Sequence, residues 1–213
     1  MKNIIYINSN VLIIKRIIDL LVSFTCLIIA LPLFLNIAIL IKLTSKGSIF
    51  YVQRRVGVIL PTQTKYFNMI KFRTMKQDAK SETGAVWAKE NDDRLTYMGK
   101  FLRKTRLDEL PQFINVIKGE MSIIGPRPER PEIAQKLEEN IPFYVERTFW
   151  VTPGITGLAQ VYQGYDKSLD DVRSKIAYDF AYSLSLTKIH QWLLMDLKIV
   201  LRTFAIMLLG RGQ

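Results

Sequence analysis

The sequence contains very little of two residue types on which much enzyme chemistry depends. Among its 213 residues there is one cysteine, Cys26, and one histidine, His190. A single cysteine excludes an internal disulfide framework and a zinc site built from thiolates. A single histidine excludes metal sites made of several imidazoles and argues against a histidine-based catalytic triad. Any chemistry must therefore use carboxylates, lysine, arginine, hydroxyl groups or an oxygen-ligated metal.

Acidic residues are also scarce relative to basic ones. Lysine and arginine total 30 against 19 aspartates and glutamates, which gives a formal net charge of +11. Such an excess favours phosphate-rich partners, namely nucleotides, nucleic acids or anionic lipid surfaces. Hydrophobic residues make up 49% and charged residues 23%, so the chain can form a core and is not of the disordered class. The length favours one domain, and we find no internal repeat.

The apolar residues are concentrated near the N-terminus. Between Asp19 and Lys42 lie 22 residues without a formal charge. A helix of that length would be about 33 Å long, which is enough to cross the hydrocarbon core of a bilayer. The run is long and starts late, and no small-residue cleavage site follows it. We therefore interpret it as a retained membrane anchor rather than a cleavable signal peptide.

The shape of this anchor has two interpretations. Pro32 removes a backbone hydrogen bond near its middle and should kink the helix. Basic residues flank both ends, with Lys15 and Arg16 before the run and Lys42 and Lys46 after it. Because positive residues favour the cytoplasmic side, both ends are expected there, as in a re-entrant helix that dips into one leaflet. An ordinary proline-kinked transmembrane helix has the same length, so on these residues both shapes stay open.

The rest of the chain predicts helices with a small amount of sheet. The pattern from Ser48 to Met75 is strand-like and puts Lys71 and Arg73 on one face. Helical periodicity begins at Leu110 and stops at Gly119. The other predicted elements are a polar loop or short helix over Lys76 to Arg94, a helix from Pro131 to about Phe143, a turn-rich loop over Pro153 to Gln160, and helices from about Leu169 onward.

The last apolar stretch, Trp192 to Leu209, is interrupted by Asp196, Lys198 and Arg202. An amphipathic helix lying on the membrane surface would have this pattern. A helix packed in the core would have it too, and both interpretations stay open. The three charges argue against a second membrane crossing.

The densest group of candidate catalytic residues lies between residues 103 and 132. Asp108 and Glu109 stand at a predicted helix start, because Pro111 is tolerated only in a first turn. Asp108 is then a plausible N-cap, and Glu109 would complement the helix dipole. Beside several cations, the same two carboxylates are also suited to hold a divalent metal or to attack a phosphorus atom.

Cationic residues nearby have a similar pair of interpretations. Arg127 lies between Pro126 and Pro128, so its backbone is restricted and its guanidinium can bind phosphate at little entropic cost. A solvated arginine in a surface turn is the plainer alternative. Lys71 and Arg73 can likewise bind phosphate, remain solvated or pack near lipid headgroups.

Taken together, these motifs resemble the bacterial sugar transferases, also called polyprenyl-phosphate hexose-1-phosphate transferases or monotopic phosphoglycosyl transferases. The similar segments are the basic-flanked apolar stretch, KFRTM at 71–75, the segment 107–132, PGITGLAQV at 153–161 and the closing DLKIVL. They occur in order over nearly the whole chain. The resemblance implies an α+β, mostly helical fold with a short β-hairpin and surface amphipathic helices. Residues 1–45 would form a re-entrant membrane helix broken at Pro32, and residues 46–213 a cytoplasmic catalytic domain.

The resemblance also implies a reaction. Such enzymes transfer a hexose-1-phosphate from a UDP-sugar to a polyprenyl phosphate, typically undecaprenyl phosphate, and release UMP. They use Mg²⁺ and start the assembly of O-antigen, capsule, exopolysaccharide or glycoprotein glycans at the cytoplasmic face of the bacterial inner membrane. Asp108 would be the nucleophile, and Glu109 would hold Mg²⁺ with it or assist deprotonation. The expected phosphate-binding or substrate-binding residues are Arg127, Arg103, Lys71 and Arg73.

Three positions depart from the commonest family pattern: Leu31 and Arg106 stand where serine is usual, and Leu158 where tryptophan is. None of them removes a proposed catalytic group. Two other classes stay open as alternatives. One is a membrane-bound, Mg²⁺-dependent hydrolase of nucleotide sugars or lipid phosphates, and the other is a non-catalytic, basic, membrane-anchored binding protein. The transferase itself needs no nucleic-acid partner and leaves room for a homo-oligomer.

Overall fold

The computed structural model describes residues 7–76, 93–163 and 168–209. These residues are mostly helical, with one antiparallel hairpin and one short parallel strand pair. This confirms the predicted class in its coarse form, a mainly helical protein with a β-hairpin. The elements in chain order are α1 (Ser9–Thr44), β1 (Phe50–Leu60), β2 (Gln63–Phe72), α2 (Tyr97–Thr105), α3 (Gln112–Lys118), β3 (Ser122–Ile124), α4 (Pro131–Asn140), β4 (Gly154–Thr156), α5 (Leu158–Tyr162), α6 (Leu169–Ser185) and α7 (Ile189–Leu208).

Helix α1 contains the apolar run and is much longer than that run. Its 36 residues would extend about 54 Å if straight. The side chain of Asn8 caps its first turn, and Pro32 lies inside it with helix on both sides. Asn36 donates its side-chain amide to the Pro32 carbonyl at 2.9 Å. By length and composition, α1 is the one helix in the described part of the chain that could cross a membrane, with a mean hydropathy of 2.6 in its most apolar window.

Both ends of α1 pack against the rest of the protein. In its first half, Val11, Lys15, Asp19 and Ser23 are buried at intervals of four residues, which places them on one face. Near its end, the buried residues Ile37 and Ile41 pack in a cluster with Phe72 and Leu102. Between Ser23 and Ile37, no residue of α1 is buried. The apolar middle of α1 is therefore its least buried part, with Phe34 packing against Phe72 at its far end.

The strand-like pattern from Ser48 to Met75 is confirmed as the hairpin of β1 and β2. The two strands are antiparallel, with Phe50 opposite Phe72 and Val56 opposite Tyr66. Lys71 lies on β2, whereas Arg73 follows directly after its last residue. The hairpin thus places Lys71 within the regular sheet and Arg73 at its end.

The predicted turn-rich loop over Pro153 to Gln160 is wrong. Gly154–Thr156 forms strand β4 in parallel pairing with β3, and helix α5 begins at Leu158. The strand exists because of a partner about 30 residues earlier, which local composition does not reveal. The two backbones meet at glycines, since a Cβ atom on Gly154 would lie 2.1 Å from the Gly125 nitrogen.

The predicted helices in the second half of the chain are confirmed. Helix α3 ends at Gly119, whose φ of 79° suits a residue without a side chain. Helix α4 begins at Pro131, and α6 begins with a capping box made by Ser168 and Asp171. The predicted polar segment from Lys76 to Arg94 falls mainly on residues 77–92, which lie outside the described residues.

Helix α7 packs one face into the core and leaves the other exposed, and its position on a membrane surface stays a prediction. Trp192 and Ile199 are fully buried in the main core cluster. The opposite face exposes a row of large apolar side chains, Leu194, Leu197, Leu201 and Leu208. The two cations of this helix flank that row beside Tyr162, with Arg202 Cζ at 3.8 Å and Lys198 Nζ at 5.3 Å from its ring centre. One face of α7 is thus core, and the other is an apolar surface bordered by positive charge.

Candidate active site

Asp108 and Glu109 lie on a short 3₁₀ helix between α2 and α3. Arg106, with a φ of 56°, ends α2 in the left-handed conformation, and the 3₁₀ helix spans Leu107–Glu109. The interpretation of Asp108 as the N-cap of the next helix is wrong, because Pro111 occupies that position before α3 begins. The tight turn instead buries both carboxylates, with exposed fractions of 7% for Asp108 and 8% for Glu109.

Glu109 lies between two cations that come from different elements. Its Oε1 atom is 2.7 Å from Lys71 Nζ on β2 and 3.3 Å from Arg127 Nη2. Burial by itself would raise the pKa of Glu109, but the charges of Lys71 and Arg127 outweigh it and hold the pKa well below its usual range. Glu109 is therefore ionised at neutral pH.

Asp108 is adjacent to Glu109 in sequence, and its pKa is shifted in the opposite direction. Burial raises the pKa of Asp108 to about 6, and the neighbouring charge of Glu109 adds to the shift, while Lys71, Arg103 and Arg127 oppose it. Within the described residues, neither carboxylate oxygen of Asp108 accepts a hydrogen bond. This leaves a basic and uncommitted carboxylate beside two cations, which is the chemistry of a nucleophile or a metal ligand.

Arg127 reaches Glu109 from a turn whose backbone is held on several sides. Its two flanking prolines are buried, while the Arg127 side chain keeps an exposed fraction of 44%. The Gly125 nitrogen donates to the Thr156 carbonyl at 2.9 Å, and the Gly154 nitrogen donates to the Pro126 carbonyl at 2.9 Å. The turn is thus built into the β3–β4 pair, and it presents Arg127 at the site.

Asn115 on α3 holds β2, which carries Lys71, against the helix that follows Glu109. The sequence did not predict this role. The Oδ1 atom of Asn115 accepts from the Ile70 nitrogen at 3.0 Å, and its Nδ2 atom donates to the Asn68 carbonyl at 2.8 Å. These bonds fix β2 against α3 and so bring Lys71 beside Glu109. A fully buried asparagine inside an apolar helix face was the signal that could have identified it.

Two other predicted phosphate ligands lie differently. Arg73 Nη2 donates to the carbonyl and hydroxyl oxygens of Ser45 at 2.8 and 2.7 Å, where α1 ends. Such a contact is the usual one for a cation at a helix C-terminus. Arg103 on α2 is near enough to lower the pKa of Asp108. The structure therefore brings together Asp108, Glu109, Lys71 and Arg127, with Arg103 close by and Arg73 at the end of α1.

The carboxylate pair also suits a particular kind of metal binding. No group of three or more histidine, cysteine, aspartate or glutamate side chains that could hold a metal occurs among the described residues. Mg²⁺ commonly takes one or two carboxylates from the protein and completes its shell with water and substrate phosphates. Asp108 and Glu109 fit that donor set, since Asp108 has no competing hydrogen bond and Glu109 stays ionised.

Comparison with known proteins places these features in one family. A model described as bacterial sugar transferase matches residues 10–210. The chain is 43% identical over 199 residues to a UDP-N-acetylgalactosamine-undecaprenyl-phosphate N-acetylgalactosaminephosphotransferase of Aeromonas hydrophila, covering 93% of this chain and 44% of that protein. It is 38% identical over 200 residues to a UDP-glucose:undecaprenyl-phosphate glucose-1-phosphate transferase of Klebsiella pneumoniae, covering 92% and 40%.

A third relative is of similar size. The exopolysaccharide production protein ExoY of Rhizobium meliloti is 36% identical over 214 residues, covering 93% of this chain and 87% of that protein. The chain therefore spans less than half of the two larger relatives and most of this one.

Proposed function

The chain belongs to the bacterial sugar transferase family, and from that premise we propose that it transfers a sugar-1-phosphate from a UDP-sugar to a polyprenyl phosphate such as undecaprenyl phosphate, releasing UMP. The observation that carries this proposal is the buried Asp108–Glu109 pair between Lys71 and Arg127. The relatives named above for undecaprenyl-phosphate transfer support the acceptor, and their donors differ in sugar. The product would start a surface polysaccharide, as the name of the ExoY relative suggests.

The first step forms a bond to Asp108. A carboxylate oxygen of Asp108 attacks the β-phosphorus of the UDP-sugar, the bond from that phosphorus to the bridging oxygen breaks, and UMP leaves. The raised pKa of Asp108 makes it a more basic nucleophile than an ordinary aspartate, yet it is largely ionised at neutral pH. Lys71 and Arg127 offset the repulsion between this carboxylate and the anionic donor.

The second step releases the enzyme. A phosphate oxygen of the polyprenyl phosphate attacks the same phosphorus, and the bond between Asp108 and phosphorus breaks. The products are the polyprenyl diphosphate sugar and the regenerated carboxylate. Splitting one displacement between two bulky anions into two steps lets a single set of cations serve both.

Glu109 is better suited to hold charge than to move protons. Because the pKa of Glu109 lies well below its usual range, it is a weak base and would take few protons from the acceptor phosphate. We assign it to Mg²⁺ binding together with Asp108. When bound there, Mg²⁺ would neutralise the diphosphate charge and help orient the donor.

We further propose that α1 is re-entrant and that the site faces the cytoplasm. Support comes from Lys15, which contacts Asp196 of α7 at 3.4 Å. It also comes from Ile41, which packs with Phe72 at the end of β2. A straight crossing would carry one end of α1 away from these contacts. The exposed middle around Pro32 would then enter one leaflet.

The re-entrant shape can be tested by cysteine labelling in cells. Single cysteines would replace Asn10 and Lys46 in a Cys26→Ser background, with a membrane-impermeant maleimide as the probe. Protection of both positions in spheroplasts and labelling of both in inverted vesicles is the expected result. Labelling of the two positions from opposite sides would show a spanning helix.

The activity can be tested with the full chain in lipid nanodiscs. The assay would contain Mg²⁺, undecaprenyl phosphate and a panel of UDP-sugars that includes UDP-glucose and UDP-N-acetylgalactosamine. We expect multiple-turnover UMP release that requires both the lipid acceptor and Asp108, so Asp108→Asn is inactive. Asp170→Asn, which removes an exposed carboxylate on α6, is the matched control and should stay active.

Other outcomes of the same assay would contradict the proposal. Release of more than one equivalent of UMP per enzyme without the lipid acceptor would indicate a hydrolase of nucleotide sugars. Release of UDP would indicate direct sugar transfer without the phosphate. Absence of any nucleotide product with the whole panel would favour a non-catalytic binding protein.

A further inference from the structure

The turn that carries Arg127 is held through four consecutive backbone carbonyls. The carbonyl of Pro126 accepts from the Gly154 nitrogen on β4, and that of Glu129 accepts from the Val56 nitrogen on β1. The two carbonyls between them accept from guanidinium groups, Arg127 from Arg147 Nη2 at 2.9 Å and Pro128 from Arg55 Nη1 at 3.1 Å. Three separate parts of the fold therefore restrain one short turn.

Arg147 makes the contact at the centre of this set. It lies on the short 3₁₀ helix Val145–Thr148, and its side chain has an exposed fraction of 8%. Its Nη1 atom is 2.8 Å from Asp179 Oδ2 on α6, and the side chain of Asp179 is 3% exposed. The Tyr144 ring covers the guanidinium, with Arg147 Cζ 4.6 Å from the ring centre. Asp179 and Tyr144 thus fix Arg147 before it reaches the Arg127 carbonyl.

The side chain of Arg127 is poorly placed to hold itself in position. It is nearly half exposed, and its one ion pair within the described residues, to Glu109, has a distance of 3.3 Å. With the guanidinium partly exposed, an ion pair of that length orders the Arg127 side chain only weakly. The orientation of the guanidinium therefore depends mainly on the position of its own backbone.

We propose that Arg147 and Asp179 form a positioning pair, which holds the Arg127 carbonyl so that the Arg127 guanidinium meets the phosphate of the UDP-sugar. This inference rests on the proposed function, because it takes that phosphate as the ligand of Arg127. Arg147 touches neither carboxylate of the site and acts through Arg127. The positioning pair comes from the 3₁₀ helix Val145–Thr148 and from α6. The rest of the site is built from β2, the Asp108 turn and the Arg127 turn.

The test is a double-mutant cycle on the full chain in nanodiscs. Arg147→Lys keeps the charge but cannot reach Asp179 and the Arg127 carbonyl with the same planar fork. We expect kcat/KM for the UDP-sugar that the wild type uses to fall roughly 10- to 100-fold, as for a displaced catalytic group. In an Arg127→Gln background, the same Arg147→Lys change should lower kcat/KM by less than about threefold. The guanidinium through which Arg147 acts on the substrate is already absent there.

Two further variants distinguish a positioning effect from misfolding. Asp179→Asn keeps the side-chain shape and removes the charge that fixes Arg147, so it should lower kcat/KM in the wild-type background and have little effect with Arg127→Gln. Arg173→Gln breaks an exposed ion pair on the same helix and should leave kcat/KM within about twofold of wild type. Thermal unfolding of every variant would show which of them are folded.

The outcomes separate this inference from the proposed function. Arg147→Lys could lower kcat/KM by the same factor with and without Arg127→Gln. That result would show a purely structural role and overturn the positioning pair. If Arg147→Lys does not fold, the same comparison is made with Asp179→Asn. Unchanged kcat/KM in both variants would overturn the positioning pair as well. A wild-type protein that turns over no UDP-sugar would instead count against the proposed function.

Discussion

At the scale of single residues, two neighbouring carboxylates have opposite pKa shifts because Lys71 and Arg127 pair with only one of them. Lys71 Nζ bonds to Glu109 Oε1 at 2.7 Å, and no ion pair joins it to Asp108 within the described residues. Both carboxylates are buried, so the desolvation that each suffers is similar. The pairing decides which of them stays ionised and which becomes basic. A divergence of this kind gives two identical functional groups separate roles.

Asp108→Asn should stabilise the metal-free protein at high pH while abolishing transfer. The pKa of Asp108 is raised from 3.8 to about 6, so the folded protein binds this proton more tightly than the unfolded chain. The contribution of the protonated Asp108 to the free energy of unfolding is complete below pH 4 and is lost as the pH rises through 6. The neutral asparagine avoids that loss, which is of the order of 1–3 kcal/mol at pH 8.

Unfolding in detergent with a chelator present would measure this effect. The variant should be more stable than wild type at pH 8, and the difference should shrink towards pH 4. A difference that does not change with pH would show that Asp108 is not desolvated as described. Asp170→Asn, at an exposed site, is the matched control for the substitution itself.

At the scale of elements, local periodicity predicted the helices better than the strands. The apolar spacing from Leu110 to Ile117 and the stop at Gly119 were enough to predict α3, because both signals lie within the helix itself. Strand β4 was missed because its pairing partner β3 lies far away in sequence. Asp108 was misplaced as a cap because nothing before it signals that Arg106 adopts a left-handed conformation.

The same limit applies to the site. Asp108, Glu109 and Arg127 were found because their motifs are local and resemble a family. Asn115 and Arg147 were missed because their partners, at Ile70 and Asp179, are distant in sequence. Arg73 shares a strand face with Lys71 in the pattern, yet it caps α1 because β2 ends before it.

Gly154→Ala should disrupt the junction between β3 and β4. The new Cβ atom would lie 2.1 Å from the Gly125 nitrogen, which is backbone and cannot move aside cheaply. The strands must separate, and the Arg127 turn must move with them. We expect a loss of about 3 kcal/mol or more in unfolding free energy and a large fall in UMP release.

Gly57→Ala on β1 is the comparison for this change. Its new Cβ would lie 3.1 Å from the Lys65 carbonyl oxygen, so a small shift can accommodate it. Thermal unfolding and UMP release should therefore change much less than for Gly154→Ala. A similar effect of both substitutions would refute the specific role of the glycine contact.

At the scale of the whole molecule, the apolar helix packs directly against elements that carry the candidate site. Arg16 donates to the carbonyls of Val116 and Ile117 at 2.5 and 2.8 Å, where α3 ends. Asp19 Oδ1 accepts from the Ile123 nitrogen on β3 at 3.0 Å. The expected division at residue 45 stays a prediction, but these contacts connect both sides of it. The first half of α1 supports the two elements that follow Glu109 and precede Arg127.

Arg16→Ala should therefore weaken the catalytic centre from within the anchor. It removes two charge-assisted hydrogen bonds to the last carbonyls of α3, and we expect a loss of about 2–3 kcal/mol in unfolding free energy. UMP release in nanodiscs should fall with it. Lys42→Ala, which removes an exposed charge near the other end of α1, should change neither quantity much. Equal effects of the two substitutions would mean that Arg16 acts only as a flanking charge for the membrane.

The bonds from Arg16 and Asp19 also set an order of events while the chain is being made. Their partners lie 100 to 104 residues later in sequence. At a synthesis rate of about 5–20 residues per second, those partners emerge roughly 5–20 s after α1 does. During that interval the helix is already apolar enough to enter the membrane, yet Arg16 and Asp19 lack the partners that they have in the folded protein. We therefore expect the first turns of the nascent helix to stay near the headgroup layer, where water and lipid phosphates can solvate both charges until the second half of the chain arrives.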